Sequence, residues 1–430
     1  MSTADGFDQG LGVILPRVVG AGALSPLSDG SQVEYANFDY AASAPCIEPV
    51  RAALEATLPL YSSVHRGAGW GSVMTTSAYE GSREVVRGFV NGRPDDAVVY
   101  TRNTTDSMNL LARCLPTGTT VVVFASEHHA SLLPWESRTT VLRLPVPAGP
   151  AEAVADAAAA LAGVSGPKLL VVTAASNVTG ELWPIGELAE AAHANGARIM
   201  VDVAQLVSHR PLDVTALDLD YIAFSGHKMY APFGTGVLLG RSDWLLAADP
   251  YLRGGGATEL VEDERVRWFD IAERRHEAGT PNVIGAVTLA AACDALLAIG
   301  WPVLREVEER TVTAIRGGMA QVAGLRELSL WGPGHDRVGI VSFALDGWPS
   351  RRLAEALSQH YGIGVRDGRF CAHPMVRHLL RSAGVVGPAD PAAIEWTAVR
   401  ASVGLGVTRE HVDRLVTALD ELSMGQAKAA

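Results

Sequence analysis

The chain is sparing in charge and cysteine, and it has no apolar run of membrane-spanning length. Charged residues make up only 19% of its 430 residues, while 48% are hydrophobic. A globular protein usually carries about a quarter charged residues, so this balance calls for a sizeable buried core and extensive interfaces. Lys and Arg number 35 against 47 Asp and Glu, a formal charge of −12. With no basic patch and no appended helix-turn-helix module, neither nucleic acid nor an anionic membrane is expected as the main partner. The four cysteines, Cys46, Cys114, Cys293 and Cys371, are widely spaced, with no C-x-x-C pair and no zinc pattern. Free thiols in a reducing cytoplasm are therefore expected, and no metal. Met1–Gly10 carries Asp5 and Asp8 and lacks a basic-then-apolar run, so no signal peptide is expected. The longest weakly polar stretch, Ile284 to Trp301, is Ala-rich, is interrupted by Asp294 and is short for a membrane span; it reads as a buried helix. No internal repeat is found.

This length exceeds one ordinary core, so two or three lobes are expected. Short apolar runs alternate with helical stretches between about residues 97 and 240. Val98–Tyr100, Thr120–Phe124, Val141–Leu144, Leu169–Thr173, Ile199–Val201, Tyr221–Phe224 and Gly236–Leu239 read as strands. Their near-continuous apolar character suits a parallel sheet covered on both faces. Ala151–Ala162 and Ile185–Ala194 read as helices, giving an α/β pattern. Beyond about residue 300 a helix, two strands (Leu325–Trp331 and Val338–Leu345) and a helix over 350–360 suggest a smaller α+β lobe. It closes on a helix whose apolar positions Val412, Leu415, Val416, Leu419 and Leu422 recur at helical spacing, with Thr408 as N-cap. Residues 1–35, loose and Gly-rich, read as an arm, 36–300 as a large domain and 301–430 as a small one.

Ser225-Gly-His-Lys228 is the most informative segment. Lys228 follows an apolar strand and Asp202 ends another. Both fall at the carboxyl ends of strands, where open α/β sheets bind ligands. An amine there can form a Schiff base with an aldehyde, and a carboxylate nearby can hold a proton on a pyridine nitrogen, the requirements of pyridoxal phosphate chemistry. A lone Lys and a lone Asp after strands would be read as surface residues; the pairing changes that.

From about Tyr40 to the C-terminal helix the chain resembles the class V aminotransferase family of fold-type-I enzymes dependent on pyridoxal 5′-phosphate, and within it the group II cysteine desulfurases and selenocysteine lyases. The resemblance rests on the joint order of Tyr40-Ala-Ala-Ser-Ala-Pro45, Val64-His-Arg-Gly67, Arg102-Asn-Thr-Thr-Asp106, Glu127-His-His-Ala130 with Pro134-Trp135, Ser176-Asn-Val-Thr-Gly180, Asp202-x-x-Gln205, Ser225-Gly-His-Lys228, Gly254-Gly-Gly256, Gly279-Thr-Pro-Asn282, the Arg366 to Pro374 loop and Arg400-Ala-Ser402. It implies a large, mixed, mostly parallel seven-stranded sheet domain with a smaller α+β C-terminal domain. It also implies Lys228 as the cofactor's lysine and Asp202 as the partner of its ring nitrogen. Thr104 and Thr105, between a strand and a helix expected from Asp106 onward, hold the phosphate at a helix N-terminus, with Ser225 and His227 as further ligands. His128 stacks on the ring, while its neighbour His129 reads as structural. Asn177 meets the phenolic oxygen and Gln205 lies alongside it. Thr280 reaches the phosphate of a neighbouring subunit, so that a homodimer shares its active sites, and His65 and Arg66 line the entrance from the partner. Arg400 grips the substrate α-carboxylate with its planar donors.

Cys371, in Arg366-Asp-Gly-Arg-Phe-Cys-Ala-His-Pro374, aligns with the desulfurase cysteine that accepts sulfur as a persulfide. That loop normally carries His immediately before the cysteine; here the position is Phe370. Cys371 is thus either a sulfur carrier or a pocket-lining thiol, since reactivity needs an activating neighbour, and Cys46, Cys114 and Cys293 read as core thiols. The expected reaction is C–S cleavage on cysteine or a cysteine S-conjugate, by desulfuration or β-elimination. Transamination, decarboxylation or epimerisation of an amino acid are the alternatives, and a catalytically inert cofactor-binding scaffold is a minor one.

Overall fold

The computed structural model describes Phe7 and residues 14–137, 139–385 and 396–427. Except for Phe7, the Met1–Gly10 stretch weighed for a signal peptide lies outside the described residues. By internal contacts the chain forms two compact units: residues 46–174 with 183–298, and residues 1–45 with 175–182 and 299–430.

The first unit is built on a seven-stranded sheet. In chain order its strands are β1 (Ala97–Thr101), β2 (Thr120–Phe124), β3 (Thr140–Leu144), β4 (Lys168–Thr173), β5 (Arg198–Asp202), β6 (Tyr221–Ser225) and β7 (Gly236–Gly240). Each contains or matches one of the seven expected runs. Spatially they lie β1-β7-β6-β5-β4-β2-β3. All neighbours are parallel except that β7 runs antiparallel to both β1 and β6. Every residue of β2, β6 and β7 is buried, as expected of strands covered on both faces. The chain turns from β2 outward to β3 and then back to β4, so the order of winding reverses beside β2, the kind of switch point where such sheets open a crevice. The apolar helix Val283–Ile299 is largely buried, and no single described helix is long and apolar enough to cross a membrane.

The second unit carries a four-stranded antiparallel sheet. Its strands are β8 (Leu325–Leu328), β9 (Ile340–Leu345), β10 (Arg366–Gly368) and β11 (Ala398–Ser402), in the spatial order β8-β9-β11-β10. β8 ends three residues before the expected Trp331. The cause is Glu181, whose carboxylate accepts from Ser329 Oγ and from the backbone N–H groups of Leu330 and Trp331, drawing that backbone out of the ladder. The arm is not loose throughout. Leu24–Pro26 pairs with Gln32–Glu34, and just beyond the arm Ala36–Asn37 pairs in parallel with Ile363–Gly364. The last helix, Arg409–Ala427, is capped as expected, with Thr408 Oγ1 accepting from His411 N at 3.2 Å.

Candidate active site

In the first unit the singled-out residues gather at one end of the sheet. Lys228 closes a single 3-10 turn, Gly226–Lys228, directly after β6, and is half-buried. Asp202, the last residue of β5, is 6% exposed. Its Oδ2 accepts from Ser131 Oγ at 2.9 Å and its Oδ1 from Ala204 N at 3.0 Å, so the buried carboxylate is held on both oxygens. Gln205 is buried in the turn that follows.

His128 lies beyond β2, where its side chain caps the short helix His129–Leu132, Nδ1 accepting from Ala130 N at 3.0 Å. A neutral ring bonded in this way carries its proton on Nε2. Before it, Glu127 is fully buried; Oε1 accepts from Thr173 N at the end of β4, and Oε2 has no hydrogen-bond partner among the described residues. Burial, opposed by that hydrogen bond and reinforced by Asp202, holds the Glu127 carboxyl well above the usual carboxylate range.

Thr104 opens the helix Thr104–Cys114, whose N-cap is Asn103. The helix starts two residues earlier than expected because the Asn103 side chain accepts from Asp106 N at 3.0 Å. Thr104 donates its N–H to Ser225 Oγ at 2.8 Å, and the two hydroxyls lie 2.7 Å apart. Thr104 follows β1 and Ser225 ends β6, and those two strands are separated by β7. Gly236 on β7 lets the turn cross: a Cβ there would lie 2.5 Å from Asn103 backbone atoms. Thr105 is exposed beside this turn. His227 has its imidazole pushed down to about 4 by burial and then by Lys228, and it is neutral at neutral pH.

His65 and Arg66 are brought beside the turn that carries Thr280. They line a cavity of about 210 Å³ with Gly256, Glu277 and Gly279. Arg66 Nη2 donates to Gly279 O at 3.3 Å, and Gly256, at φ 98°, leaves room for that guanidinium. Tyr79 and Arg83 bind the Glu277 carboxylate, anchoring the segment that leads to exposed Thr280.

The second unit collects the other three residues. Arg400, on β11, is 3% exposed. It donates from Nη1 to Asn177 O at 2.8 Å and from Nη2 to Asp39 Oδ1 at 3.2 Å, while its buried Nε finds no partner among the described residues. Burial lowers the Arg400 pKa from its usual range, opposed by Asp39; the guanidinium remains charged at any physiological pH. Asn177 Nδ2 donates to Phe370 O at 2.7 Å, and the Phe370 ring lies 5.1 Å from the Arg400 guanidinium carbon. Cys371 is exposed, whereas Cys114 and Cys293 are buried and Cys46 is half-buried.

Ser131 and Asp39 were missed from the sequence. Ser131 sits just past the Glu127-to-Ala130 motif and Asp39 just before Tyr40, so proximity to a motif was their only local signal.

The residues of the first unit suit a phosphorylated pyridine aldehyde. Hydroxyls converge on a helix N-terminus, an amine follows β6, and a buried carboxylate with both oxygens oriented ends β5. In the second unit the buried Nε of Arg400 is an unused donor among the described residues, of the kind that pairs with a carboxylate.

The model of the aminotransferase class-V family matches residues 36–415. A cysteine desulfurase of Yersinia pseudotuberculosis serotype O:1b (strain IP 31758) is 33% identical over 372 residues, covering 84% of this chain and 86% of that protein. The apo structure of a cysteine desulfurase from Thermococcus onnurineus NA1 is 28% identical with a TM-score of 0.81, covering 96% of this chain and 100% of that one. The cysteine desulfurase CsdA of Escherichia coli, in an S-sulfonic acid form, is 32% identical with a TM-score of 0.75, covering 90% and 94%. With a seven-stranded sheet that carries Lys228 and Asp202 at its strand ends, this chain belongs to the class-V aminotransferase family, whose members are pyridoxal phosphate-dependent enzymes.

Proposed function

We propose that this enzyme cleaves the C–S bond of cysteine or of a cysteine substituted on sulfur. The observation that carries the reading is the exposed Cys371 thiol directly following Phe370, whose ring lies over Arg400. In this reading a sulfur nucleophile and a carboxylate grip belong to one unit and suit the two ends of a cysteine. The relatives named cysteine desulfurase support the same substrate class.

Bound pyridoxal phosphate supplies an aldehyde and an electron-withdrawing ring that weakens the bonds at Cα and Cβ. In this reading Lys228 Nζ holds the cofactor and moves the proton at Cα. Asp202, oriented by Ser131 and Ala204 N–H, keeps a proton on the ring nitrogen. His128 covers the ring, and Asn177 and Gln205 serve its phenolic side. Thr104, Thr105, Ser225 and neutral His227 hold the phosphate, and Arg400 holds the substrate carboxylate. Thr280, His65 and Arg66 act on the site of a second copy, which makes the working enzyme a homodimer.

Two routes split the Cβ–S bond. In the first, the Cys371 thiolate attacks the substrate sulfur; an S–S bond forms, the Cβ–S pair passes to carbon, and carbon takes a proton, leaving a persulfide on Cys371 and alanine. In the second, a substituted sulfur leaves with the bond pair as a thiolate, and hydrolysis of the remainder gives pyruvate and ammonia. Phe370 favours the second, since it puts an apolar ring where a proton donor would assist Cys371.

The deciding experiment assays sulfide, thiol, pyruvate and alanine together on wild type and Cys371→Ala. In the variant, cleavage of an S-substituted cysteine is expected to persist, with thiol and pyruvate in equal amounts. Loss on every sulfur substrate, with a persulfide trapped on wild-type Cys371, establishes the first route. An amino group moved to a keto acid, with no sulfur released, refutes both.

A further inference from the structure

We propose that Phe370 is a positioning residue that ties the grip of Arg400 on a carboxylate to the placement of the Cys371 thiol. The inference rests on the reading above in taking Arg400 as a carboxylate site. Phe370 is held at two points. Its ring, 5% exposed, lies 5.1 Å from the Arg400 guanidinium carbon, within the range of a cation–π contact. Its carbonyl accepts from Asn177 Nδ2 at 2.7 Å, and Asn177 O in turn accepts from Arg400 Nη1 at 2.8 Å. Arg400, Asn177 and Phe370 thus close a ring of contacts.

The backbone leaving that ring is unusual. Phe370 has φ 52° and Cys371 φ 53°, two successive left-handed residues that both carry side chains. Such a conformation is sterically costly and persists only where its surroundings over-determine it. Ala372 N donates to Arg369 O at 2.9 Å, closing the turn from the other side. A carboxylate arriving at Arg400 competes with Asp39 for Nη2 and reaches the buried, unpartnered Nε only by shifting the guanidinium. Any shift of the guanidinium is passed to the Phe370 ring, and Asn177 passes it to the Phe370 carbonyl, one peptide from the thiol.

The test follows alkylation of Cys371 by iodoacetamide in the holoenzyme, read by peptide mapping, with and without L-alanine as the carboxylate-bearing probe. In wild type, saturating L-alanine is expected to change the alkylation rate constant by about fivefold, the scale of a modest coupling between sites. Phe370→Tyr, which keeps the ring, retains the change. Phe370→Leu, which keeps apolar bulk without a π face, loses it and raises KM for the amino acid by about thirtyfold, the worth of a desolvated cation–π contact. No change in wild type, an undiminished change in Phe370→Leu, or a loss in Phe370→Tyr equal to that in Phe370→Leu overturns the proposal. If wild type shows the expected coupling but cleaves no C–S bond, the functional reading falls and this one stands. Cleavage with an undiminished change in Phe370→Leu removes this one alone.

Discussion

Ser131 donates its hydroxyl to Asp202 across 71 residues of sequence, in a buried hydrogen bond of 2.9 Å. Hydrogen bonds to charged groups contribute about 1.5–3 kcal/mol. Ser131→Ala leaves one oxygen of a buried carboxylate without this donor. Turnover is expected to fall by about tenfold or more, with cofactor occupancy, read from visible absorbance, changing far less. Wild-type kcat in this variant would show that the Asp202 carboxylate needs no orientation from Ser131.

Lys228 is expected to carry the cofactor. Borohydride reduction of the holoenzyme should place the label on the peptide containing Lys228, and Lys228→Ala should take up pyridoxal phosphate without a reducible linkage. A label on another lysine refutes the assignment.

Removing the Arg400 guanidinium leaves Asp39, itself held above the usual carboxylate range by burial, without its ion-pair partner. Breaking a fully buried pair on one side costs about 3–5 kcal/mol, and this pair, with Asp39 partly exposed, should cost less. Arg400→Ala should therefore melt at lower temperature and raise KM by about a hundredfold or more. A KM unchanged for an amino acid but altered for a ligand lacking a carboxylate would exclude the assigned grip.

Acid sensitivity is expected from His227. Its folded value, about 4, lies below the ordinary 6.5, so the unfolded chain binds a proton that the folded one refuses. The sign is then set: its contribution to stability is complete above pH 6.5 and is lost as pH falls toward 4. Thermal melting of wild type should decline more steeply across that window than melting of His227→Gln. Parallel curves would place the acid sensitivity on other groups.

A homodimer is expected because Thr280 is exposed on an anchored turn. Light scattering of the holoenzyme should give the mass of two chains. A single-chain mass with full activity counts against a shared site.

The sequence made legible those features that local pattern controls. The seven strands stood out because burial on both faces demands unbroken apolar runs, and Lys228 and Asp202 stood out because they interrupt such runs at one end. β11 was not legible as a strand. Its five residues include Arg400 and Ser402, and its place in the sheet comes from pairing with β9, some way back in the chain. The Asp39–Arg400 pair, 361 residues apart, has no signature in either neighbourhood. The early end of β8 depends on Glu181, a residue that no reading of 325–331 would include.

The division of the chain into units has a consequence for synthesis on the ribosome. The unit holding β1 to β7 is complete once residue 298 has emerged, but the other draws on 1–45, 175–182 and 299–430. Ala36–Asn37 must wait for Ile363–Gly364, and Asp39 for Arg400. Closing such distant pairs is slow, since their loop entropy is spent before any contact compensates for it. Residues 36–39 are therefore translated early yet are among the last to find their partners, and a nascent chain halted before β11 would hold a finished seven-stranded sheet while Asp39 still lacked Arg400.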